Sequence, residues 1–214
     1  MFELSMSQPS FAAVILAAGS GTRMKSAMPK VMHPIAGRPM IAYPLEALRP
    51  LSPAATVVVI GSRMESVAEI VAPAECVVQA PPLGTGDAVR TAMRALDGRL
   101  RGSIEDVLVL YGDTPFLATE TLSRLLTERR RTAAAILVSS MRPADPGPYG
   151  RFVLASDGGL KRIVEAAEAG PEGISASASA SSARVLIPRS SSADSSTARQ
   201  ASPFRRATVT ISVR

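Results

Sequence analysis

Short apolar runs alternate with helically spaced segments through the first 170 residues of this 214-residue chain. The apolar runs are rich in Val, Ile and Leu and lie at residues 11–19, 55–61, 75–80, 106–113 and 133–141. Between them, apolar residues recur every three or four positions over residues 40–48, 64–71, 88–96 and 122–126. Continuous apolar strands separated by helices are typical of a parallel sheet that is covered by helices on both faces. The sequence therefore predicts an α/β fold with a mostly parallel sheet.

Sheets of this type bind ligands at the carboxyl ends of their strands, near the point where the strand order reverses. The segments that follow the strands are residues 19–30, 80–87 and 111–115. We therefore expect these three segments to meet at one edge of the sheet and to form the functional site. Further along, Thr119 is predicted to cap the helix that follows it.

The composition is that of a globular protein with an aliphatic core. Hydrophobic residues make up 46% of the chain and the mean hydropathy is +0.19, but only 4% of residues are aromatic and none is Trp. No apolar stretch approaches the roughly 18 residues of a membrane span, and the first ten residues lack the features of a secretory signal. The single cysteine, Cys76, excludes an intramolecular disulfide. We expect a cytoplasmic protein with no membrane contact.

Three regions differ in character: an N-terminal extension (1–10), a domain (11–170) and a Ser/Ala/Arg-rich tail (171–214). The composition of 172–206 predicts disorder and resembles that of an altered reading frame. The tail holds six Arg against two acidic residues, whereas residues 1–170 hold 18 Lys and Arg against 16 Asp and Glu. Most of the net charge of +6 therefore lies in a segment that has no run of aromatic residues to stack on bases. We expect no nucleic-acid partner, although binding through the basic tail is an alternative.

A glycine-containing turn follows the first apolar run, in the string LAAGSGTRMKSAMPK at residues 16–30. Gly19 and Gly21 permit a tight turn and a close approach of ligand to backbone, whose N–H groups form a nest for phosphate oxygens. Arg23 supplies a planar fork of donors and Lys30 a point charge. The string lacks the third glycine of a dinucleotide-binding turn and the Gly-Lys-Ser/Thr of a P-loop. It therefore predicts a polyphosphate site of another class.

The same string resembles the signature of the sugar-nucleotide pyrophosphorylases. Four further strings, at residues 29–40, 77–89, 107–117 and 147–169, are similar in order and spacing to one family of these enzymes. The family that they resemble is the uridyltransferase domain of the bacterial bifunctional N-acetylglucosamine-1-phosphate uridyltransferase/glucosamine-1-phosphate acetyltransferases. The resemblance covers residues 11–168 and implies a Rossmann-like nucleotidyltransferase sandwich. It also implies the reaction of UTP with N-acetylglucosamine 1-phosphate, which gives UDP-N-acetylglucosamine and pyrophosphate with Mg²⁺.

The resemblance implies a role for each matching residue. Arg23 and Lys30 would be catalytic, by neutralising charge on the phosphates. The residues implied to bind the nucleotide are Leu16, Ala17, Ala18, Gly19, Lys30, Gln79, Gly84 and Thr85. Those implied to bind the sugar nucleotide or its N-acetylglucosamine are Tyr111, Gly112, Gly150 and Glu165. His33 matches a family position that is structural.

Three candidate site residues have alternative interpretations. Asp113 ends a predicted strand, where a carboxylate is a natural ligand for Mg²⁺, but such an aspartate can instead cap the next helix. Gln79 can be read as an exposed polar residue at a strand end. Glu165 can be read as a solvated helix residue. We favour metal binding for Asp113 and substrate contacts for the other two.

The sequence departs from the family in two respects. Members carry one asparagine that contacts the sugar and a second that binds the metal, and this sequence contains no Asn. The hexapeptide repeats of the trimer-forming acetyltransferase β-helix are also absent. We therefore expect a fold that is incomplete at its C-terminus, impaired transfer, and a monomer or an ill-defined oligomer.

Other readings of the motif remain open. Molybdenum-cofactor guanylyltransferases and the cytidylyltransferase of isoprenoid synthesis share the opening string, and a non-catalytic nucleotide-binding remnant would retain it. The spacing of Gln79 from Gly84 and Thr85, together with the Tyr-Gly-Arg at 149–151, favours the uridyltransferase.

Overall fold

A computed structural model of the protein describes residues 10–19, 21, 24–97, 104–140, 150–156 and 159–164, and the backbone of 183–187. The strands are β1 Phe11–Leu16, β2 Pro34–Ile35, β3 Arg38–Pro39, β4 Ala55–Ile60, β5 Glu75–Val78, β6 Asp106–Tyr111, β7 Ile136–Ser140, β8 Arg151–Leu154, β9 Leu160–Val164 and β10 Ala183–Ile187. The α-helices are α1 Ala42–Leu48, α2 Glu65–Val71, α3 Thr85–Asp97 and α4 Thr119–Thr132, and 3-10 helices span Lys30–Met32 and Arg49–Leu51. The elements follow the alternation that the sequence predicts.

The central sheet has the strand order β5-β4-β1-β6, and every pair of neighbours in it is parallel. The last residue of β1, Leu16, is in register with Val59 of β4 and with Tyr111 of β6. The three strands therefore end at the same edge of the sheet. Chain order along the sheet reverses direction at β1, because β4 lies on one side of it and β6 on the other.

The two faces of the sheet bury two separate apolar clusters. Because side chains alternate along a strand, Ala12, Val14 and Leu16 of β1 face α3, where they meet Ala88, Ala92 and Leu96. The intervening residues of β1 belong to the opposite cluster, together with apolar residues of α1, α2 and α4. β1 is buried along its whole length. The prediction of a parallel sheet between two layers of helices is confirmed.

The amino end of β6 carries a buried ion-pair cluster. Asp106, which is fully buried, pairs with Arg129 and Arg130 of α4. Arg130 donates from Nε to Asp106 Oδ2 at 2.6 Å, and Arg129 is itself buried and also donates to the carbonyl of Ala134. This cluster ties the last turns of α4 to the edge strand of the sheet.

Two features differ from the sequence-based expectations. The cap residue of α4 is Ala118 rather than Thr119, because the Thr119 hydroxyl donates to the carbonyl of Ala47 in α1 at 2.8 Å. The prediction of disorder over 172–206 does not hold for Ala183–Ile187, which forms β10 and pairs antiparallel with β7. Its Val-Leu-Ile run favours extended backbone, and β7 offers a partner that is distant in the sequence. The rest of the tail lies outside the described residues, and disorder there stays a prediction.

The remaining strands form small antiparallel pairs, β2 with β3 and β8 with β9. Within the described part of the chain, every helix is too short or too polar to cross a membrane.

Candidate active site

A cavity of about 310 Å³ opens at the carboxyl ends of the central strands. This volume lies within the range of ligand clefts, about 300–1,000 Å³. Its lining includes ten residues that the sequence predicts for the site: Leu16, Ala17, Ala18, Gly19, Lys30, Gln79, Gly84, Thr85, Tyr111 and Asp113. Val31, Pro82 and Ala88 complete it. The segments after β1, β5 and β6 therefore meet as expected.

Backbone hydrogen bonds continue the sheet past the end of β1 and fix the floor of the cavity. The Ala17 N–H donates to the carbonyl of Val59 at 2.7 Å, and the Gly112 N–H donates to that of Leu16 at 2.9 Å. A Cβ atom at Gly112 would lie 3.1 Å from Val31 Cγ1 and 3.4 Å from Ala17 Cβ. Gly112 is therefore required for close packing beneath the cavity, and it supports the lining without being part of it.

A side chain would be tolerated differently at Gly19 and at Gly21, the two glycines of the turn. Gly21 has a φ of +63°, and a Cβ atom there would lie 2.7 Å from Lys30 Cβ. Gly19 has no positive φ, and a Cβ atom on it would have no neighbour within 4 Å. Conformational freedom is thus needed at Gly21, where the backbone packs against Lys30. Gly19 borders open space in the cavity.

Lys30 and Asp113 form an ion pair across the cavity. Lys30 Nζ lies 2.6 Å from Asp113 Oδ2, and the two side chains are 25% and 14% exposed. Burial raises the pKa of the Asp113 carboxyl above its ordinary value, while a nearby cation favours the charged form. Asp113 does not cap α4, whose cap residue is Ala118. Its carboxylate is therefore held in the cavity beside a cation.

Gln79 follows β5 and lies inside the wall of the cavity. Its backbone N–H donates to the carbonyl of Ile60 at 2.8 Å, and the residue is only 4% exposed. Its side-chain Nε2 donates to the Gly84 carbonyl at 3.0 Å and to Asp87 Oδ2 at 2.9 Å. The alternative reading of Gln79 as an exposed residue at a strand end is wrong, since the turn at Gly84 and the start of α3 enclose it.

Tyr111 and Thr85 face each other between β6 and α3. Burial raises the pKa of the Tyr111 phenol, and a hydrogen bond from the Thr85 side chain opposes this shift. The phenol therefore stays protonated near neutral pH. It is a neutral, polar group in the cavity wall.

The structure does not bring every predicted residue to the cavity. Arg23 and Glu165 lie outside the described residues, so their roles stay predictions. Gly150 directly precedes β8 and is not among the described residues that line the cavity. The sequence analysis missed Asp87, whose contact with Gln79 joins positions eight residues apart. The apolar spacing of α3 places Asp87 in the first turn of the helix but does not reveal its partner.

Comparison with families of proteins shows a match over most of the chain. The family described as the MobA-like NTP transferase domain matches residues 13–185.

Two relatives share about half of their aligned residues with this chain. A protein of Paramagnetospirillum magneticum named bifunctional protein GlmU is 51% identical over 168 residues, which are 78% of this chain and 36% of that protein. A protein of the same name from Rhodospirillum rubrum is 54% identical over 162 residues, or 75% of this chain and 35% of that protein. The chain thus spans about a third of the length of these curated relatives.

Solved structures share the fold at lower identity. A putative glucose-1-phosphate thymidylyltransferase from Bacillus anthracis is similar with a TM-score of 0.58 at 17% identity, over 83% of this chain and 69% of that chain. HddC from Yersinia pseudotuberculosis, complexed with GMP-PN, is similar with a TM-score of 0.56 at 23% identity, over 82% of this chain and 73% of that chain.

Proposed function

Because this chain belongs to the family of MobA-like NTP transferase domains, we propose that it transfers a nucleotidyl group from a nucleoside triphosphate to a sugar 1-phosphate. The substrates we propose are UTP and N-acetylglucosamine 1-phosphate, with UDP-N-acetylglucosamine and pyrophosphate as products. One observation supports this most strongly. The cavity at the strand ends gathers a cation, a carboxylate and a buried side-chain amide from three separate segments, around Lys30, Asp113 and Gln79. The similarity to the two GlmU proteins supports the choice of substrates.

We propose that Asp113 holds a divalent cation, Mg²⁺. The donor set fits such an ion, since Mg²⁺ commonly takes one or two protein carboxylates and completes its shell with phosphate oxygens and water. Among the described residues there is no cluster of three or more His, Cys, Asp or Glu, so a site that depends on substrate phosphates suits this cavity better than a fully protein-built one. When bound, such a cation neutralises negative charge on the phosphates.

The chain's own residues would orient the triphosphate and stabilise its charge. Lys30 is 2.6 Å from Asp113, so its ammonium group lies close enough to pair with the phosphates that a metal on Asp113 would hold. Arg23, in the same glycine turn by sequence, is proposed to do likewise. An oxygen of the sugar phosphate attacks the α-phosphorus, the bond to the β-phosphate oxygen breaks, and pyrophosphate leaves. Such transfers depend chiefly on positioning and charge stabilisation.

Gln79, Gly84 and Thr85 are proposed to contact the uracil, and Gly150 and Glu165 the N-acetylglucosamine. Gln79 and Gly84 border the cavity through a buried amide and a glycine with a φ of +99°. A glycine there leaves room for a flat ring against the backbone.

Pyrophosphate release tests this proposal. We expect release from UTP only when Mg²⁺ and N-acetylglucosamine 1-phosphate are both present, and weaker competition by GTP and CTP than by unlabelled UTP. Binding of UTP without release under any condition would identify a nucleotide-binding protein that does not transfer. Preferential competition by GTP would instead favour a guanylyltransferase.

A further inference from the structure

The side-chain amide of Gln79 is held in one orientation by two acceptors. Its Nε2 atom lies 3.0 Å from the Gly84 carbonyl oxygen and 2.9 Å from Asp87 Oδ2. A peptide carbonyl and a carboxylate accept hydrogen bonds and donate none. The group of Gln79 that contacts both acceptors must therefore be the NH₂ group. The oxygen Oε1 remains as the atom that Gln79 can offer to a ligand in the cavity.

Asp87 is well suited to hold this orientation. It lies in the first turn of α3, and Arg90 donates to its second oxygen, Oδ1, at 2.6 Å. The hydrogen bond from Gln79 and then the pairing with Arg90 lower the pKa of the Asp87 carboxyl. The side chain thus stays a charged acceptor near neutral pH, and hydrogen bonds to charged groups are stronger than neutral ones.

We propose that Asp87 is a positioning residue that selects the nucleobase by fixing the Gln79 amide with its oxygen toward the base. This inference rests on the proposed function, in which Gln79 contacts a pyrimidine. Uracil carries hydrogen on its central ring nitrogen, N3, and can donate to Oε1. In cytosine the same nitrogen is an acceptor, so two acceptors would face each other. Cytosine can bind well only if the amide turns over, and that would set its oxygen against the Gly84 carbonyl and the Asp87 carboxylate.

Asp87→Asn provides the sharpest test, because the new side chain has nearly the same shape and removes one of the two acceptors that oppose a turned Gln79 amide, while the Gly84 carbonyl remains. We expect the affinity for CTP to rise about tenfold, while the affinity for UTP stays within about threefold, since a charge-assisted bond is replaced by a neutral one. The measurement is calorimetric titration of the whole chain with UTP and with CTP in the presence of Mg²⁺. A tighter complex with the unfavoured nucleotide is a result that general damage to the fold would not produce.

Glu128→Gln is the matched control. Glu128 pairs with Arg131 three residues on in α4, as Asp87 pairs with Arg90 in α3, and the two acidic side chains are 14% and 16% exposed. We expect this variant to leave the UTP-to-CTP affinity ratio unchanged. Asp87→Ser is a second variant, whose hydroxyl both donates and accepts, and it should shift the ratio in the same direction as Asp87→Asn.

The outcomes separate this inference from the proposed function. An unchanged ratio in both Asp87 variants, or an equal loss of affinity for both nucleotides, overturns the role of Asp87 while UTP binding by the unaltered chain still stands. Equal affinity of the unaltered chain for UTP and CTP also overturns it. Failure of the unaltered chain to bind either nucleotide counts against the proposed function.

Discussion

An aspartate at or just beyond each end of β6 pairs with basic side chains, but the two sets of ion pairs differ in burial. At the amino end, Asp106 is fully buried and pairs with two arginines of α4. Beyond the carboxyl end, Asp113 pairs with one lysine, and both side chains are partly exposed to a cavity. A buried pair is costly to break because the remaining charge has no solvent to compensate it. The buried pair at Asp106 therefore stabilises the fold, whereas the partly exposed pair at Asp113 can exchange its partner for a ligand in the cavity.

Asp106→Asn should have the largest effect on stability. We expect it to lower the free energy of unfolding by about 3–5 kcal/mol, since it leaves buried Arg129 without its counter-charge. Urea denaturation followed by circular dichroism measures the loss. UTP affinity of the folded fraction should be unchanged, because Asp106 does not line the cavity. A loss under about 1 kcal/mol would show that both ends of β6 are equally tolerant.

Asp113→Asn should have the opposite profile. We expect it to change the free energy of unfolding by less than about 1 kcal/mol, because Lys30 is 25% exposed and can be solvated once its partner is neutral. The Mg²⁺-dependent affinity for UTP should fall at least about tenfold, by analogy with the 10–100-fold losses seen on altering a metal's surroundings. Calorimetric titration with and without Mg²⁺ checks this. Unchanged Mg²⁺-dependent affinity would remove Asp113 from the proposed metal site.

The stability of the unaltered protein should also depend on pH through Asp113, and the same variant removes that dependence. Burial raises the pKa of Asp113 in the folded state above the ordinary value of about 3.9, so the folded protein binds more protons in the interval between the two values. Its contribution to stability is therefore present below about pH 3.9 and is lost as the pH rises through the raised pKa. Unaltered protein should lose stability relative to Asp113→Asn over that interval, as followed by urea midpoints from about pH 4 upward.

Gly21→Ala and Gly19→Ala compare the two glycines of the turn that follows β1. A Cβ atom at Gly21 would lie 2.7 Å from Lys30 Cβ, at a φ of +63°. We expect this change to cost about 1–2 kcal/mol of stability and to weaken UTP binding by displacing Lys30. At Gly19 a Cβ atom meets open space, so stability should hold while UTP affinity falls, as measured by melting temperature and titration. Equal melting temperatures would refute the packing role of Gly21.

Glu46→Gln should have the smallest effect. Glu46 pairs with Arg38 at 2.7 Å, but the side chains are 47% and 48% exposed. Exposed pairs contribute about 0–1 kcal/mol, so we expect a loss below about 0.5 kcal/mol in urea denaturation. A loss comparable to that of Asp106→Asn would mean that burial does not decide the strength of these pairs.

The sequence predicted the part of the fold in which local pattern and tertiary packing agree. The apolar runs gave the central strands, and because parallel strands end together, they also gave the cavity and most of its lining. It failed where a partner comes from far along the chain. The Thr119 hydroxyl bonds to Ala47, and β10 pairs with β7, and neither contact leaves a periodic signal.

The candidate site shows the same limit at the level of single side chains. The resemblance indicated Gln79, but the direction of its amide depends on Asp87, which no motif marked. The glycine turn predicted backbone freedom at two positions, whereas only Gly21 of the pair has a positive φ. The sequence thus predicts which residues form the site, whereas the orientations of their side chains depend on neighbours that only packing brings together.

Every described residue that lines the cavity lies between positions 16 and 113, whereas the β8–β9 hairpin begins only at Arg151. In the proposed function, the base contacts at Gln79, Gly84 and Thr85 and the sugar contacts at Gly150 and Glu165 thus come from separate stretches of the chain. We expect a chimaera that keeps residues 10–140 and takes its second half from a relative to inherit its preference for a base unaltered while acquiring a different acceptor.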